Sequence, residues 1–263
     1  MNRLLFPLFA LCFSAQIAAD AAGNALAQQV RDRPTGKDSF TQGSMVLLEP
    51  GRAPRVRKMH TYQLEPSENA QWTLIRFTDP ADIADTGLLT LDHASGETDQ
   101  WVYLPAVRKA RRIPSERRGG NFVGSDLIYE DLRDRKVEVD EHLIIGEEAI
   151  EGQMCKVLQS IPKDKSSSEY SKRVSWVHPQ TLVALRAEVY AGGDKPIKRL
   201  EVRKLQKIQN YWTVMELAVT DLKSGHSTRI LADTVRYDIG LPEQMFTVNV
   251  LEDPLQEASF YTP

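Results

Sequence analysis

Short runs of β-branched, aromatic and aliphatic residues recur along most of the chain, and a turn signal bounds each run. Turn sequences such as Glu49-Pro50-Gly51 and Gly192-Gly193-Asp194 separate the runs, and Gly, Pro, Asn and Asp favour chain reversal at such positions. About a dozen short strands with little helix between them predict antiparallel connections in one curved sheet or barrel. The predicted strands lie near residues 40–49, 56–64, 71–78, 87–92, 100–104, 136–145, 153–161, 170–177, 182–190, 197–207, 212–220 and 227–237.

One amphipathic helix precedes the strands. Its apolar positions recur at the three- and four-residue spacing of a helix, and Arg33-Pro34 followed by Gly36 ends it. A stripe of this kind predicts a face that packs on a sheet, and a movable lid is the alternative interpretation. The residues of the stripe are Ala22, Ala25, Leu26, Gln29 and Val30.

Three of the predicted strands carry apolar side chains on both faces, at residues 72–77, 88–91 and 101–104. An antiparallel sheet usually has one wet face, so a sheet that is apolar on both faces must be covered twice. The pattern is equally compatible with cover by the chain's own helices and with a cavity for a hydrophobic ligand.

The first residues predict export from the cytoplasm. Arg3 precedes an apolar run over residues 4–19 that Pro7 interrupts, and small residues follow, which is typical of a cleaved signal peptide. A membrane anchor is the alternative, but the run is shorter than the roughly 20 residues that span a bilayer. We therefore expect a signal peptide at residues 1–19 and, since no long Pro/Gly/Ser linker occurs, a single domain at residues 20–263.

Composition narrows the function classes. The net charge of −3 argues against a nucleic-acid-binding protein, as does export. Cys155 is the single cysteine beyond the predicted signal peptide, so neither an intrachain disulfide nor a cysteine metal cluster is expected there.

Six basic residues follow the predicted strand at 100–104. They could contact lipid phosphates at a membrane surface or an acidic partner. An acidic stretch at residues 126–141 follows them, and the alternative is that the two stretches neutralise each other within the fold. The basic residues are Arg108, Lys109, Arg111, Arg112, Arg117 and Arg118.

A glycine-containing loop over residues 119–125 lies between the two charged stretches. Ser125 or Asp126 can cap a short helical turn that directs Leu127 inward. A carboxylate metal site built from Asp126, Glu130 and Asp131 is the weaker alternative. The lysine that would follow a phosphate-binding loop is missing.

No catalytic signature was found in the sequence. The five histidines, His60, His93, His142, His178 and His226, form neither a metalloprotease motif nor a closely spaced pair, and no Gly-x-Ser-x-Gly nucleophile elbow occurs. A triad assembled from distant residues remains an alternative. The sequence thus predicts a protein that is not an enzyme and that holds neither a cofactor nor a metal.

Several segments match the motifs of one family. Through these segments the chain resembles the outer-membrane lipoprotein-sorting, LolA-like family over nearly the whole predicted mature length. The most specific are Gln100-Trp101-Val102-Tyr103-Leu104-Pro105, Arg111-Arg112-Ile113, Phe122-Val123-Gly124-Ser125-Asp126 and Tyr129-Glu130-Asp131-Leu132. Others are Ser39-Phe40-Thr41, residues 77–89 and the ending Gly240-Leu241-Pro242-Glu243-Gln244-Met245-Phe246-Thr247.

The resemblance implies a mainly β fold with a few helices. It is an unclosed antiparallel β-barrel of about eleven strands, with helices covering the concave hydrophobic face. It also implies a periplasmic carrier that binds a lipid, a lipoprotein acyl chain or a similar hydrophobic ligand. Such a carrier moves its ligand between inner-membrane machinery and the outer membrane. Members of this longer branch are associated with exporters of the resistance-nodulation-division (RND) type.

These implications select candidate site residues. The basic residues Arg108, Lys109, Arg111, Arg112, Arg117 and Arg118 are the candidates for head-group or partner contact. The candidates for the lining of the hydrophobic cavity are Leu74, Ile75, Phe77, Leu89, Leu91, Trp101, Tyr103 and Phe122.

In the lipoprotein carriers an arginine on an early strand holds a lid closed, and Arg52, Arg55 and Arg57 are the candidates for this role here. Two other functions remain open. One is a periplasmic adaptor of an RND-type exporter that carries no ligand, and the other is a hydrolase of envelope lipids.

Overall fold

The computed structural model describes residues 11–261, with side chains from residue 21 onward. Of the predicted signal peptide, residues 1–10 lie outside the described part and the remainder is described only as backbone. Helix α1 ends at Arg31, just before the stop predicted at Arg33-Pro34. Within the described range no helix combines the length and the apolar character that crossing a membrane requires.

Thirteen strands and three α-helices form the described chain. Each of the twelve predicted strands overlaps an observed one. The elements are α1 (Leu11–Arg31), β1 (Asp38–Leu48), β2 (Arg55–Leu64), β3 (Gln71–Asp79), β4 (Gly87–Asp92), β5 (Thr98–Leu104), β6 (Lys109–Arg112), β7 (Asp140–Ile150), β8 (Gln153–Pro162), β9 (Lys172–Val177), β10 (Ala184–Tyr190), β11 (Lys198–Ile208), β12 (Tyr211–Asp221), β13 (Ser227–Tyr237), α2 (Val248–Glu252) and α3 (Pro254–Phe260).

The sequence pattern missed β6. This strand consists of Lys109, Ala110, Arg111 and Arg112, so no alternation of apolar and polar residues marks it. Pairing with β5 places it in the sheet: Tyr103 lies opposite Ala110, and Trp101 lies opposite Arg112.

The chain forms two compact units. The first comprises Met1–Arg33 and Val137–Asp194, and its described part contains α1 and the antiparallel strands β7 to β10 in sequence order. Helix α1 packs on this sheet, as the apolar stripe predicted: Leu26 and Ala27 share a buried cluster with Leu158 and Val177. Gly23 makes the approach possible, because a Cβ there would lie 2.2 Å from the carbonyl oxygen of His142.

The second unit comprises Pro34–Lys136 and Lys195–Pro263. Its strands follow the order β6-β5-β4-β3-β2-β1-β13-β12-β11, with antiparallel pairing throughout. The first and last strands of this order do not pair with each other in the described chain. That residues 20–263 form a single domain stays a prediction.

The sheet of the second unit is apolar on both faces. On β3, Leu74 belongs to one buried cluster and Ile75 and Phe77 belong to another, because successive side chains of a strand point to opposite faces. The C-terminal residues 239–261, which include α2 and α3, pack on the first face. Residues of the segment 113–132 pack on the second. The double covering predicted from β3, β4 and β5 is therefore confirmed, and both coverings come from the chain itself.

Candidate functional site

The face under the C-terminal residues carries a continuous row of apolar side chains, and we name it the helix-covered face. Strand register places Phe40, Tyr62, Leu74, Leu89 and Trp101 side by side across five neighbouring strands. The row crosses strands rather than following one, so it belongs to the sheet and not to any single segment of sequence.

Residues 239–261 lie over this row, and we name them the cover. Five of their side chains are buried in the same cluster as the row: Leu241, Met245, Phe246, Val250 and Leu251. Burying each such side chain contributes roughly 1.5–3 kcal/mol. The cover thus occupies the helix-covered face with the chain's own side chains.

Buried Arg76 on β3 attaches the cover to the sheet. Its Nε donates to Glu257 Oε2 on α3 at 2.8 Å. Its Nη2 donates to the carbonyl oxygen of Leu251 at 2.7 Å and to that of Val250 at 3.4 Å. Its Nη1 donates to the carbonyl oxygen of Asp85 at 2.6 Å. The side chains of Arg76 and Glu257 are only 3% and 5% exposed, so water competes little for these contacts.

Burial dominates the protonation of this network. It raises the pKa of the Glu257 carboxyl above its ordinary value, although the Arg76 guanidinium opposes the shift. The pKa of the Tyr62 hydroxyl is also raised, first by burial and then by the charge of Glu257. Removing a charge from water is costly, so the network is stable only while the cover lies in place and its partners remain together.

Gly87 on β4 leaves room for the attachment. A Cβ at this position would lie 2.8 Å from Leu251 Cδ1 and 2.9 Å from Arg76 Nη1, closer than non-bonded atoms approach. The absence of a side chain therefore lets α2 and the guanidinium come together over β4.

The opposite face, which we name the loop-covered face, is closed by the segment 113–132. Phe122 is fully buried there, with its ring centroid 5.8 Å from that of Phe77. Polar contacts hold the segment in place: Asp126 accepts from Thr228 Oγ1 at 2.6 Å, and Lys198 Nζ donates to Asp131 Oδ2 at 2.7 Å.

The eight predicted lining residues do not share one face. Leu74, Leu89, Leu91, Trp101 and Tyr103 lie in the helix-covered cluster. Ile75, Phe77 and Phe122 lie in the loop-covered cluster. The structure therefore brings five of the eight together under the cover, and the other three pack on the opposite face of the sheet.

Sequence reasoning missed Arg76. Of the three candidates for a lid arginine, Arg57 donates to the carbonyl oxygen of Val123 at 2.5 Å and Arg52 pairs with Glu49 at 3.1 Å, whereas Arg76 reaches the cover. A signal was present: a lone charge stands between Ile75 and Phe77 in an otherwise apolar run, and arginine is almost never fully buried without a partner.

The six predicted head-group or partner residues lie immediately before, on and after β6. Arg108, Lys109, Arg111, Arg112 and Arg117 are exposed, and Arg118 is half-buried. Arg112 pairs with Asp99 of the neighbouring strand. The structure thus keeps most of this basic run at the surface.

Two carboxylates of the alternative metal site, Asp126 and Asp131, have separate partners. Asp126 contacts His226 Nδ1 at 2.7 Å, and Asp131 contacts Lys198. Among the residues that the structure describes, no group of three or more His, Cys, Asp or Glu side chains is arranged to hold a metal ion.

A buried Ser–His pair occurs in the first unit. His142 Nδ1 lies 2.8 Å from Ser160 Oγ, but His142 Nε2 faces the carbonyl oxygen of Val137 at 2.9 Å rather than a carboxylate. The Ser160 residue is 8% exposed. This arrangement lacks the orienting acid and the access that nucleophilic catalysis requires.

Comparison with known proteins places the chain in a family. A DUF1329-like family model, described as that of an uncharacterised protein, matches residues 69–253. A DUF1329 family protein from Desulfovibrio piger is similar in structure, with 32% identity and a TM-score of 0.84, over 89% of this chain and 99% of that one. The chain belongs to the DUF1329 family.

Two further solved structures are similar to this DUF1329 chain. A domain from Vibrio parahaemolyticus, described as an outer-membrane lipoprotein-sorting protein, is 31% identical with a TM-score of 0.83, over 89% of this chain and 99% of that one. A LolA superfamily protein from Nitrosomonas europaea shares the fold at 18% identity, with a TM-score of 0.68 over 86% of this chain and 97% of that one.

These findings confirm the resemblance and the fold class predicted from the sequence, an unclosed antiparallel β-barrel of the LolA-like type. None of the functionally curated proteins matches the DUF1329 chain significantly.

Proposed function

We propose that the chain is a periplasmic carrier that binds a lipid, a lipoprotein acyl chain or a similar hydrophobic ligand on the helix-covered face. One observation carries the proposal: an apolar row that crosses five strands lies beneath a cover that a buried polar network attaches. The lipoprotein-sorting description of a relative with 31% identity supports it.

The physical need for such a carrier is large. An acyl chain exposed to water costs about 0.8 kcal/mol per CH₂, and the aqueous periplasm offers it no shelter. Displacing the cover would expose the apolar row, including Tyr62, Leu74, Leu89 and Trp101. The ligand would then take the place of Leu251 and Phe246 of the cover. The ligand and the cover therefore compete for one face, and binding shifts the population towards the open state.

Arg76 sets the balance of this competition. Its contacts to Glu257 and to the carbonyl oxygens of Val250 and Leu251 exist only in the closed state, so they oppose ligand entry. An inner-membrane exporter of the RND type and an outer-membrane acceptor are the proposed partners, and either would act by displacing the cover.

The first test is lipid extraction and native mass spectrometry of protein purified from the periplasm. We expect bound acyl chains and the binding of a fluorescent fatty acid. Arg76→Met should bind the probe at least about tenfold more tightly, because a larger open fraction raises the apparent affinity. Arg229→Met, which removes an arginine paired with Glu216 on the same sheet, is the matched control and should bind as the parent does.

A ligand-free protein that fails to bind the probe both before and after Arg76→Met would refute the carrier function. The second candidate, an adaptor of an exporter that carries no ligand, would then stand. The filled state of the helix-covered face, with eleven buried residues in one cluster, favours this alternative. Co-purification of a membrane protein in the absence of bound lipid would support it.

A further inference from the structure

The segment around β6 concentrates positive charge. We name residues 104–118 the basic hairpin: they include six basic residues and one acidic residue, Glu116, whereas the whole chain carries a net charge of −3. The sign of this surface is therefore opposite to that of the molecule, and its field extends about 8–10 Å at physiological ionic strength.

The described part of the chain leaves four of these six basic residues without an ion pair. Arg112 pairs with Asp99, but Arg108, Lys109, Arg111 and Arg117 make no ion pair within the described part of the chain. Two carboxylates of the acidic stretch 126–141 contact cations outside the basic hairpin. Asp131 pairs with Lys198 at 2.7 Å, and Asp140 lies 3.8 Å from Arg173.

Two exposed aliphatic residues lie within the basic hairpin. Leu104 is 39% exposed at the end of β5, and Val107 is 46% exposed in the turn. Pro105–Val107 form a single 3-10 turn that Arg108 ends in a left-handed conformation with φ of 48°. Apolar tips surrounded by Lys and Arg suit the boundary between head groups and acyl chains.

Backbone pairing with an added strand is disfavoured at this edge. Strand β6 has only four residues and three of them are basic, which are features of a protected edge. Glu252 of α2 also occupies the edge, because its Oε1 accepts from the backbone N–H of Ala110 at 2.7 Å. The basic hairpin therefore presents side chains to a partner rather than a free ladder of hydrogen bonds.

We propose that the basic hairpin docks the protein on a bilayer surface that contains anionic phospholipid. Arg108, Lys109 and Arg111 approach the phosphates, and Val107 enters the head-group boundary. Since Glu252 joins α2 to Ala110, docking brings the cover next to the bilayer. That last consequence rests on the proposed carrier function, whereas the docking itself does not.

The test measures sedimentation of the purified protein with vesicles of phosphatidylcholine, with and without phosphatidylglycerol. We expect binding only to the anionic vesicles. It should be lost as salt rises from about 0.1 M to about 1 M, which shortens the Debye length from about 10 Å to about 3 Å. The triple variant R108Q/K109Q/R111Q should bind on the order of 100-fold more weakly.

The matched control is K204Q/K207Q/K223Q. It removes three exposed lysines of the same unit that make no ion pair in the described chain, and it should bind within about twofold of the parent. Val107→Ser should weaken binding several-fold. Unfolding in urea should be unchanged for all three variants, so a loss of binding reports the surface and not the fold.

Equal binding of the parent to neutral and anionic vesicles would overturn the proposal. A control triple variant that loses as much binding as R108Q/K109Q/R111Q would also overturn it. So would an R108Q/K109Q/R111Q variant that binds anionic vesicles as the parent does but no longer binds a soluble acidic protein. Fatty-acid probe binding separates the two proposals. A parent protein that docks on anionic vesicles but binds no probe, before or after Arg76→Met, refutes the carrier function and leaves the docking surface.

Discussion

Replacing Arg76 by methionine keeps the length and apolar stem of the side chain and removes its charge and all its donors. Glu257, whose side chain is 5% exposed, would keep a buried carboxylate without its counter-charge. The carbonyl oxygens of Asp85, Val250 and Leu251 would lose their donor. Breaking a buried pair by removing one partner costs about 3–5 kcal/mol, so we expect Arg76→Met to lower the free energy of unfolding by that amount.

The double variant R76M/E257L distinguishes the charge from the hydrogen bonds. It removes the unpaired carboxylate, and apolar replacement of a buried ion pair is often neutral. The three carbonyl oxygens still lack a donor, so a residual loss of about 2 kcal/mol is expected. The double variant should therefore be more stable than R76M alone.

Urea unfolding of the parent, R76M, E257L and R76M/E257L gives the free energy of unfolding of each protein in this double-mutant cycle. Limited proteolysis of residues 247–261 reports whether the cover opens before the rest of the protein. Arg229→Met is the control, since its ion pair with Glu216 involves side chains that are 40% and 19% exposed and should contribute at most about 1 kcal/mol. A loss below about 1 kcal/mol for R76M, or a double variant as unstable as the sum of the single ones, would refute the reasoning.

Three further substitutions, at Gly87, Phe122 and Glu257, test other contacts of the two covered faces. Gly87→Ala should destabilise the protein by about 1–3 kcal/mol and speed cleavage of the cover, because the new methyl group would overlap Leu251 and Arg76. Phe122→Ala should cost about 3–5 kcal/mol in urea unfolding, since a fully buried ring leaves the loop-covered face. Glu257→Gln should remove one pH-dependent component of stability. The folded pKa of Glu257 is raised above 4.5 by burial, so its contribution is complete below the unfolded pKa and is lost as pH rises through the folded one.

Each of these predictions has an outcome that contradicts it. Leu104→Ala changes a side chain that is 39% exposed and should leave the free energy of unfolding almost unchanged. If Phe122→Ala lowered that free energy no more than Leu104→Ala does, the burial argument would be contradicted. A difference between the parent and Glu257→Gln that is constant across acidic pH would contradict the assigned titration. For Gly87→Ala, cleavage of the cover at the parental rate would mean that the close approach does not restrain α2.

The strands were largely predictable because their signal is local. Alternating and continuous apolar runs marked twelve of the thirteen strands, and the two-sided runs on β3, β4 and β5 correctly indicated a sheet covered on both faces. Strand β6 escaped because Lys109, Arg111 and Arg112 give no apolar pattern, and only pairing with β5 defines it.

What covers each face was not predictable from the residues. The sequence was equally compatible with cover by the chain's own elements and with cover by a ligand. Of the eight proposed lining residues, five lie on the helix-covered face and three on the loop-covered face. Parity along a strand separates Leu74 from Ile75, but it does not tell which distant segment lies above each of them. The hydrogen bond from Arg76 to Glu257 joins positions 181 residues apart, and no local pattern encodes such a separation.

The sequence by itself determined the β-rich class, the family resemblance, the helix before the first strand and the basic run, because each depends on neighbouring residues or on motifs read directly. Only the tertiary structure decided that Arg76 attaches the C-terminal cover, that Phe122 closes the other face and that most of the basic run stays unpaired. Those features depend on side chains that packing brings together from distant parts of the chain. Packing buries some ionic contacts, which strengthens them, and leaves other charges exposed to solvent.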